Sequence, residues 1–413
     1  MEENQQQFLQ CLRGALFRRE AVRWPEGEAE RDALLALAGE QHVLPLVLDR
    51  LIPAARAAGV DEGALRPLRQ LLLQSAVGQT RRTGKLVELC GALEAEGLRP
   101  LLVKGLACRL LYPNPDLRPS SDEDLLARDG EMEAIHGVLT RMGMEAEEGG
   151  PPGQAQVVTY CDQESGLRIE LHRRLFAEDA QAYGGMNRCF ARAFERGVLL
   201  EGAGGPVWTM GPDDHLLYLI CHSFKHFLHS GFGVRQVCDI CLAAAAWGDR
   251  IAWDALFDAL KPFRADCFAR NLFAIGAEYL GFAELWPEPM AAALAARGET
   301  DCLPLLEDLL TAGVYGSSSD VRLHSSRITL NAVAAEGEQR LGRSVLRTVF
   351  PSARELEGRY PYLKDKPWLL PGAWVQRLAR YAGENRGRAG AARESVAIGE
   401  RRVALLKKYG VIP

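Results

Sequence analysis

Apolar residues recur at three- and four-residue spacing through QQFLQCLRGALF, ERDALLALAGEQHVLPLVLDRLI and LRQLLLQSAVGQTRRTGKLVELCGALEAEG, which predicts helices over residues 1–96. Gly97 is placed to end the last of them. The texture then changes. LRPLLVKG, residues 98–105, is a short apolar run closed by glycine and reads as a buried strand. Beyond it the pattern alternates: helix (LACRLLY), loop (PNPDLRPSS), strand (DEDLLA), helix (GEMEAIHGVLTRMG), then strands MEAEE, QVVTYCD and LRIELHRRL, with turns at GGPPGQ and around Ser165 and Gly166. Past Pro212 the helical period returns in DDHLLYLICHSFKHFLHSG, VRQVCDICLAAAAW, WDALFDALKPF and CFARNLFAIGAEYLG. The expectation is an α+β protein: a helical region (1–96), a small core with a mixed or antiparallel sheet (97–205), and a second helical region ending in a basic tail (206–413).

The 413 residues are enough for two or three domains, and 14 Phe, 10 Tyr and 7 Trp are enough to fill their cores. A net charge of −5 argues against broad, nonspecific attraction to nucleic acid. One stretch departs from this: residues 376–413 carry nine Lys or Arg against three Glu, read as a solvated helix and loose tail, with a phosphate-facing arm as the sharper alternative. MEENQQQ lacks a basic-then-apolar leader and no segment reaches the ~18 apolar residues of a membrane span, so a cytoplasmic protein with no membrane partner is expected. Ten scattered cysteines form no disulfide framework.

Chemistry concentrates in VKGLACRLLYPNPDLRPSSDEDLLAR, residues 103–128. On a strand, the two-residue period puts Asp122 and Asp124 on one face and turns Glu123 away. Two carboxylates forced together repel unless a cation lies between them, and hard oxygen ligands suit magnesium. Upstream, Lys104 and Gly105 arrive at a helix start near Leu106, where free amides would favour an anion and glycine would permit close approach. Arg118 lies in a loop from which a guanidinium could grip phosphate. Downstream, alternation in LRIELHRRL places Arg168, Glu170 and His172 on one face, offering a third carboxylate. His222, His226 and His229 share a helix face near Cys238 and Cys241, so a zinc-dependent hydrolase or zinc-stabilised binding module is a separate alternative.

Lys104-Gly105, Tyr112-Pro113, Arg118, Asp122-x-Asp124-Leu125-Leu126 and Glu170-Leu171-His172 together resemble the bacterial uncharacterised nucleotidyltransferase family of the DNA polymerase beta-like superfamily. HVLPLVLDRL before this core, and His222, His226, Arg235 and Asp239 after it, extend the likeness over most of residues 30–245. The resemblance implies Mg²⁺-dependent transfer of a nucleoside monophosphate from ATP or another NTP to a hydroxyl acceptor, with release of pyrophosphate. It further implies that Asp122, Asp124 and Glu170 hold two Mg²⁺ ions and that Lys225, His226 or Arg235 contacts acceptor or nucleotide. His172 reads either as a support for Glu170 or as an ordinary core residue with a hydrogen bond. Three departures stand out, one of them a gap from Gly105 to Asp122 somewhat longer than in many members. Leu106 follows Gly105 where the superfamily often has serine, so the phosphate grip would fall to Lys104, the helix-start amides, Ser120 or Ser121, and Arg118. Glu123 is acidic where an apolar residue is usual, which predicts a strand exposed on its far side. A catalytically inactive nucleotide- or protein-binding member is the rival reading.

Overall fold

The computed structural model describes residues 1–18, 22–148, 153–229, 231–312, 353–356, 360–376 and 391–412. The chain divides into two compact units, one of residues 1–223 with 233–314 and one of residues 224–232 with 315–413. The expected helical region 1–96 and core 97–205 thus fall in one unit, together with residues 206–223 and 233–314.

In the first unit the chain opens with four helices: α1 (Glu3–Phe17), α2 (Glu28–Glu40), α3 (Leu44–Ala57) and α4 (Glu62–Ala95). Asp61 starts α4 by accepting the Gly63 and Ala64 N–H groups at 2.7 and 3.3 Å. Gly97 ends it with φ +75°, and the Leu98 N–H folds back onto the Leu93 carbonyl at 2.9 Å. The chain then enters the sheet at Leu101.

Among the described residues that sheet has seven strands: β1 (Leu101–Leu102), β2 (Glu123–Leu126), β3 (Glu145–Glu148), β4 (Val157–Cys161), β5 (Arg168–His172), β6 (Val198–Leu199) and β7 (Trp208–Thr209), in the order β3-β4-β5-β2-β1-β7-β6. It is mixed, as the pattern predicts: β2 runs parallel to β5 and β1 parallel to β7, while the other neighbours are antiparallel. The two-residue strands β6 and β7 were not expected, because two residues carry no readable period. β1 forms ladder pairs only at Leu101 and Leu102, shorter than the run 98–104, since the backbone turns at Gly105 into the four-residue helix α5 (Leu106–Arg109).

Period two sorts the central strands. Leu125, Val158, Tyr160, Ile169 and Leu171 are buried against Leu86, Leu89 and Leu93 of α4 and against Ile135, Val138 and Leu139 of α6 (Met132–Arg141). Asp124, Glu170 and His172 therefore face the other way. The helices α7 (Pro212–Leu228), α8 (Val234–Trp247), α9 (Trp253–Leu260), α10 (Asp266–Tyr279), α11 (Glu288–Ala295) and α12 (Leu303–Ala312) come next along the chain.

In the second unit, Leu356, Tyr360, Leu363 and Ala373 form a small apolar cluster. Part of the basic C-terminal segment is a helix, Ala391–Lys408, with Val403, Leu406, Tyr409, Val411 and Ile412 buried in and after it. This differs from a solvated helix with a loose tail, because the apolar residues among the charges supply a buried face. Arg402, only 1% exposed, donates to the Phe227 and His229 carbonyls. Residues 377–390 of that segment lie outside the described residues. Among the described residues no helix is long and apolar enough to cross a membrane.

Truncating Ile169, whose side chain fills the core beneath the strand that carries Glu170, should cost about 2–5 kcal/mol in urea unfolding as an Ile169→Ala cavity. A cost below about 1 kcal/mol would contradict this packing.

Candidate active site

Parallel pairing of β2 with β5 sets Asp124 directly beside Glu170, and Leu126 beside His172. The His172 Nε2 reaches back to Asp124 Oδ1 at 2.8 Å and lies 3.3 Å from Glu170 Oε2. Asp122, just before β2, joins from the strand's open end. The Lys104 ammonium lies 3.0 Å from Asp122 Oδ2 and 2.8 Å from Asp124 Oδ2, bridging both carboxylates. The sequence-predicted set Lys104, Asp122, Asp124, Glu170 and His172 is therefore one cluster. It grades from a buried floor, Asp124 at 3% side-chain exposure, to a rim where Glu170 is at 36%.

Burial alone would raise the Asp122 carboxyl, but Lys104, a hydrogen bond from the Ser121 hydroxyl at 2.7 Å and the charge of Arg235 outweigh it and hold the group well below the ordinary carboxylate range. The His172 contact lowers Glu170 against the opposing effect of burial, with Lys104 assisting. Three carboxylates against one ammonium leave the cluster negative, so a polyphosphate would be repelled without added cations. Asp124 Oδ2 is buried and touches Lys104 without a well-aligned hydrogen bond. Asp124, Glu170 and His172 offer ligand atoms all within 4.8 Å of one another. Two carboxylates and an imidazole in this arrangement are able to ligate a divalent metal ion. Among the described residues it is the one such group.

Other expected residues have different work. Arg118, expected on phosphate, is 4% exposed and clamped by Asp239, its Nε donating to Oδ1 at 3.1 Å. The Tyr112 hydroxyl donates to the same oxygen at 2.8 Å. Burial disfavours the charged guanidinium, yet the adjoining Asp239 carboxylate more than restores it and raises Arg118 above its ordinary value. Arg235 donates to the Pro119 carbonyl at 2.7 Å, tying α8 to the loop that leads into β2. In that loop the Ser120 N–H donates to Gln79 Oε1 at 3.1 Å and its hydroxyl to the Asp122 carbonyl at 2.9 Å. Lys225 and His226 lie in the segment 224–232 of the second unit.

Glu123 is the largest departure. Instead of an exposed far side, the strand buries Glu123 to 2% exposure beside Arg109 at 0%. Glu123 Oε1 accepts from Arg109 Nη2 at 2.8 Å and Oε2 accepts the Leu106 N–H at 2.8 Å, while Arg109 also donates to Thr83 at 2.6 Å. The anion at the start of α5 is therefore the chain's own carboxylate, and the Leu106 amide is already taken. Gly105 serves that contact: it has φ +65°, and a Cβ there would lie 1.9 Å from Glu123 Oε2. Burial raises the Glu123 carboxyl, partly offset by Arg109 and the Leu106 amide. Sequence reading passed over this pair, although an arginine inside the apolar run LACRLL was a signal of a buried partner. Tyr218 was also missed. It is buried on α7 and stacked on His222 at 5.5 Å; burial and then the charges of Glu170 and Asp122 push its phenol well above its ordinary value.

The mixed sheet, which sets carboxylates of two parallel strands side by side, and the helices that flank it are those of a nucleotidyltransferase core. The chain belongs to the uncharacterised nucleotidyltransferase family, which matches residues 27–281, well over half its length. No curated protein and no solved structure matches it.

The buried charges make two outcomes testable. Asp239→Ala leaves the Arg118 guanidinium buried without its carboxylate and should cost about 3–5 kcal/mol in chemical denaturation; a change within about 0.5 kcal/mol would contradict the clamp. Asp122 and Glu170 bind protons less readily in the fold than in the unfolded chain, so their contribution is full above the unfolded value of about 4 and is lost as pH falls through the lower folded values. In EDTA, the stability difference between wild type and Asp122→Asn should shrink as pH is lowered from 7 to 3. A difference independent of pH would refute that electrostatic role.

Proposed function

We propose that the protein is a Mg²⁺-dependent nucleotidyltransferase that moves a nucleoside monophosphate from an NTP to a hydroxyl-bearing acceptor and releases pyrophosphate. The reading rests on the pairing of Asp124 with Glu170, with Asp122 on the same face two residues before Asp124, and on membership of the family. Asp122, Asp124 and Glu170 would hold the metal. Bound there, two Mg²⁺ ions would neutralise charge growing on the attacking and leaving oxygens. The half-exposed Glu170 accepts the proton of the acceptor hydroxyl as it attacks the α-phosphorus, and His172, in contact with both Asp124 and Glu170, keeps the two carboxylates oriented. Lys104 adds positive charge toward the triphosphate. Glu123 on the Leu106 amide favours a second reading, a member that binds nucleotide or protein without turning over.

The two readings separate in one assay. Protein, Mg²⁺ and each α-³²P-labelled NTP are incubated with cell extract, comparing wild type with Asp122→Asn/Asp124→Asn. Label transferred by the wild type alone supports the transferase, whereas NTP binding without transfer supports the inactive reading. Glu170→Gln should slow transfer by about 10²–10⁴-fold while NTP binding changes little; unchanged turnover would remove Glu170 as the proton acceptor.

A further inference from the structure

Lys104 occupies the position where the proposed function needs a metal. Its ammonium touches Oδ2 of both Asp122 and Asp124, at 3.0 and 2.8 Å. A hard divalent cation sits about 2.0–2.6 Å from carboxylate oxygens, so it cannot share those two atoms with an ammonium lodged between them. Yet removing the ammonium with nothing in its place would leave two carboxylates facing each other at a largely buried site, which costs Coulomb energy and desolvation. Lysine is suited to such an exchange: it is a compact charge on a flexible four-carbon stem with no fixed fork geometry. The other cations nearby are not so placed, since Arg109 is held by Glu123 and Thr83, Arg118 by Asp239, and Arg235, whose charge also acts on Asp122, donates to the Pro119 carbonyl.

We infer that Lys104 is an internal counter-ion that holds the Asp122–Asp124 pair together without metal, is displaced by a divalent cation, and then turns to the phosphate groups of the bound nucleotide. This rests on the metal-dependent reading above and adds to it a coupling. Metal alone must compete with Lys104, whereas metal arriving with a polyphosphate gives the displaced ammonium a new partner, so metal and nucleotide bind each other's complex more tightly than they bind the free protein. The same exchange accounts for a lysine next to Gly105 in a cluster whose floor carboxylate is almost fully buried.

The test uses Mn²⁺ as the probe, with free Mn²⁺ followed by electron paramagnetic resonance on the full chain, alone and with a non-hydrolysable NTP analogue. Wild type should bind Mn²⁺ at least about tenfold more tightly with the analogue present. Lys104→Met should bind Mn²⁺ alone at least about tenfold more tightly than wild type, lose most of the coupling, and bind the analogue more weakly. Lys104→Arg, which keeps the charge, should stay close to wild type for Mn²⁺ alone. Equal Mn²⁺ affinity in wild type and Lys104→Met would overturn the exchange while leaving the metal site intact. No Mn²⁺ bound by wild type, Lys104→Met or Lys104→Arg, with or without the analogue, would overturn the metal-dependent reading and the exchange with it. A measurement on wild type alone guards against a misfolded variant: amine-reactive labelling of Lys104, read by mass spectrometry, should rise when Mn²⁺ replaces EDTA and fall again when the analogue is added. Labelling unaffected by Mn²⁺ would count against displacement.

Discussion

Asp124 and Glu170 stand side by side because β2 and β5 run parallel in a register that admits no slip. A shift of one residue would turn Leu125 and Ile169 out of the core and the carboxylates into it. The core beneath the sheet thus enforces an arrangement that electrostatics alone resists. Apolar burial against α4 and α6 holds the two acids together, and Lys104 and His172 reduce the repulsion that this creates. Fold and cluster are linked through that compensation: the alternate residues of the same strands build the core and carry the carboxylates.

Around this cluster the structure places two buried ion pairs, Glu123 with Arg109 and Asp239 with Arg118. Neither reaches the open rim. Each ties the segment between β1 and β2 to a neighbour: Arg109 joins β2 to α4 through Thr83, and Asp239 joins the loop before β2 to α8. Buried pairs contribute little net stability over a well-packed apolar alternative, but losing one partner is costly, so they favour one loop conformation over others. A rigid approach to Asp122 suits a site whose groups must meet within hydrogen-bond distance.

How much of this was legible from the chain depends on range. The faces of β2 and β5 were readable because alternation is a local property, and the placing of Asp124, Glu170 and His172 away from the core follows from it. The families of helices before and after the core were likewise readable from their period. Arg118 and Glu123 were misjudged for a common reason. Each is a charged residue beside a plausible ligand site, and its partner, Asp239 or Arg109, is met only through folding, 121 residues away in one case. Charge near a site suggests a ligand; burial shows that it has a partner of its own.

By itself the sequence determined the α+β class, the alternation that separates core from site, and the residue types able to bind a hard cation, because these follow from spacing and side-chain chemistry along the chain. Tertiary structure alone decided that β2 pairs parallel to β5, that Lys104 lies between Asp122 and Asp124, and that Glu123 rather than an outside anion meets the Leu106 amide. Those outcomes depend on which distant segments share a buried space, and the free energy of burying a charge is set by the partner found there rather than by its neighbours in the chain.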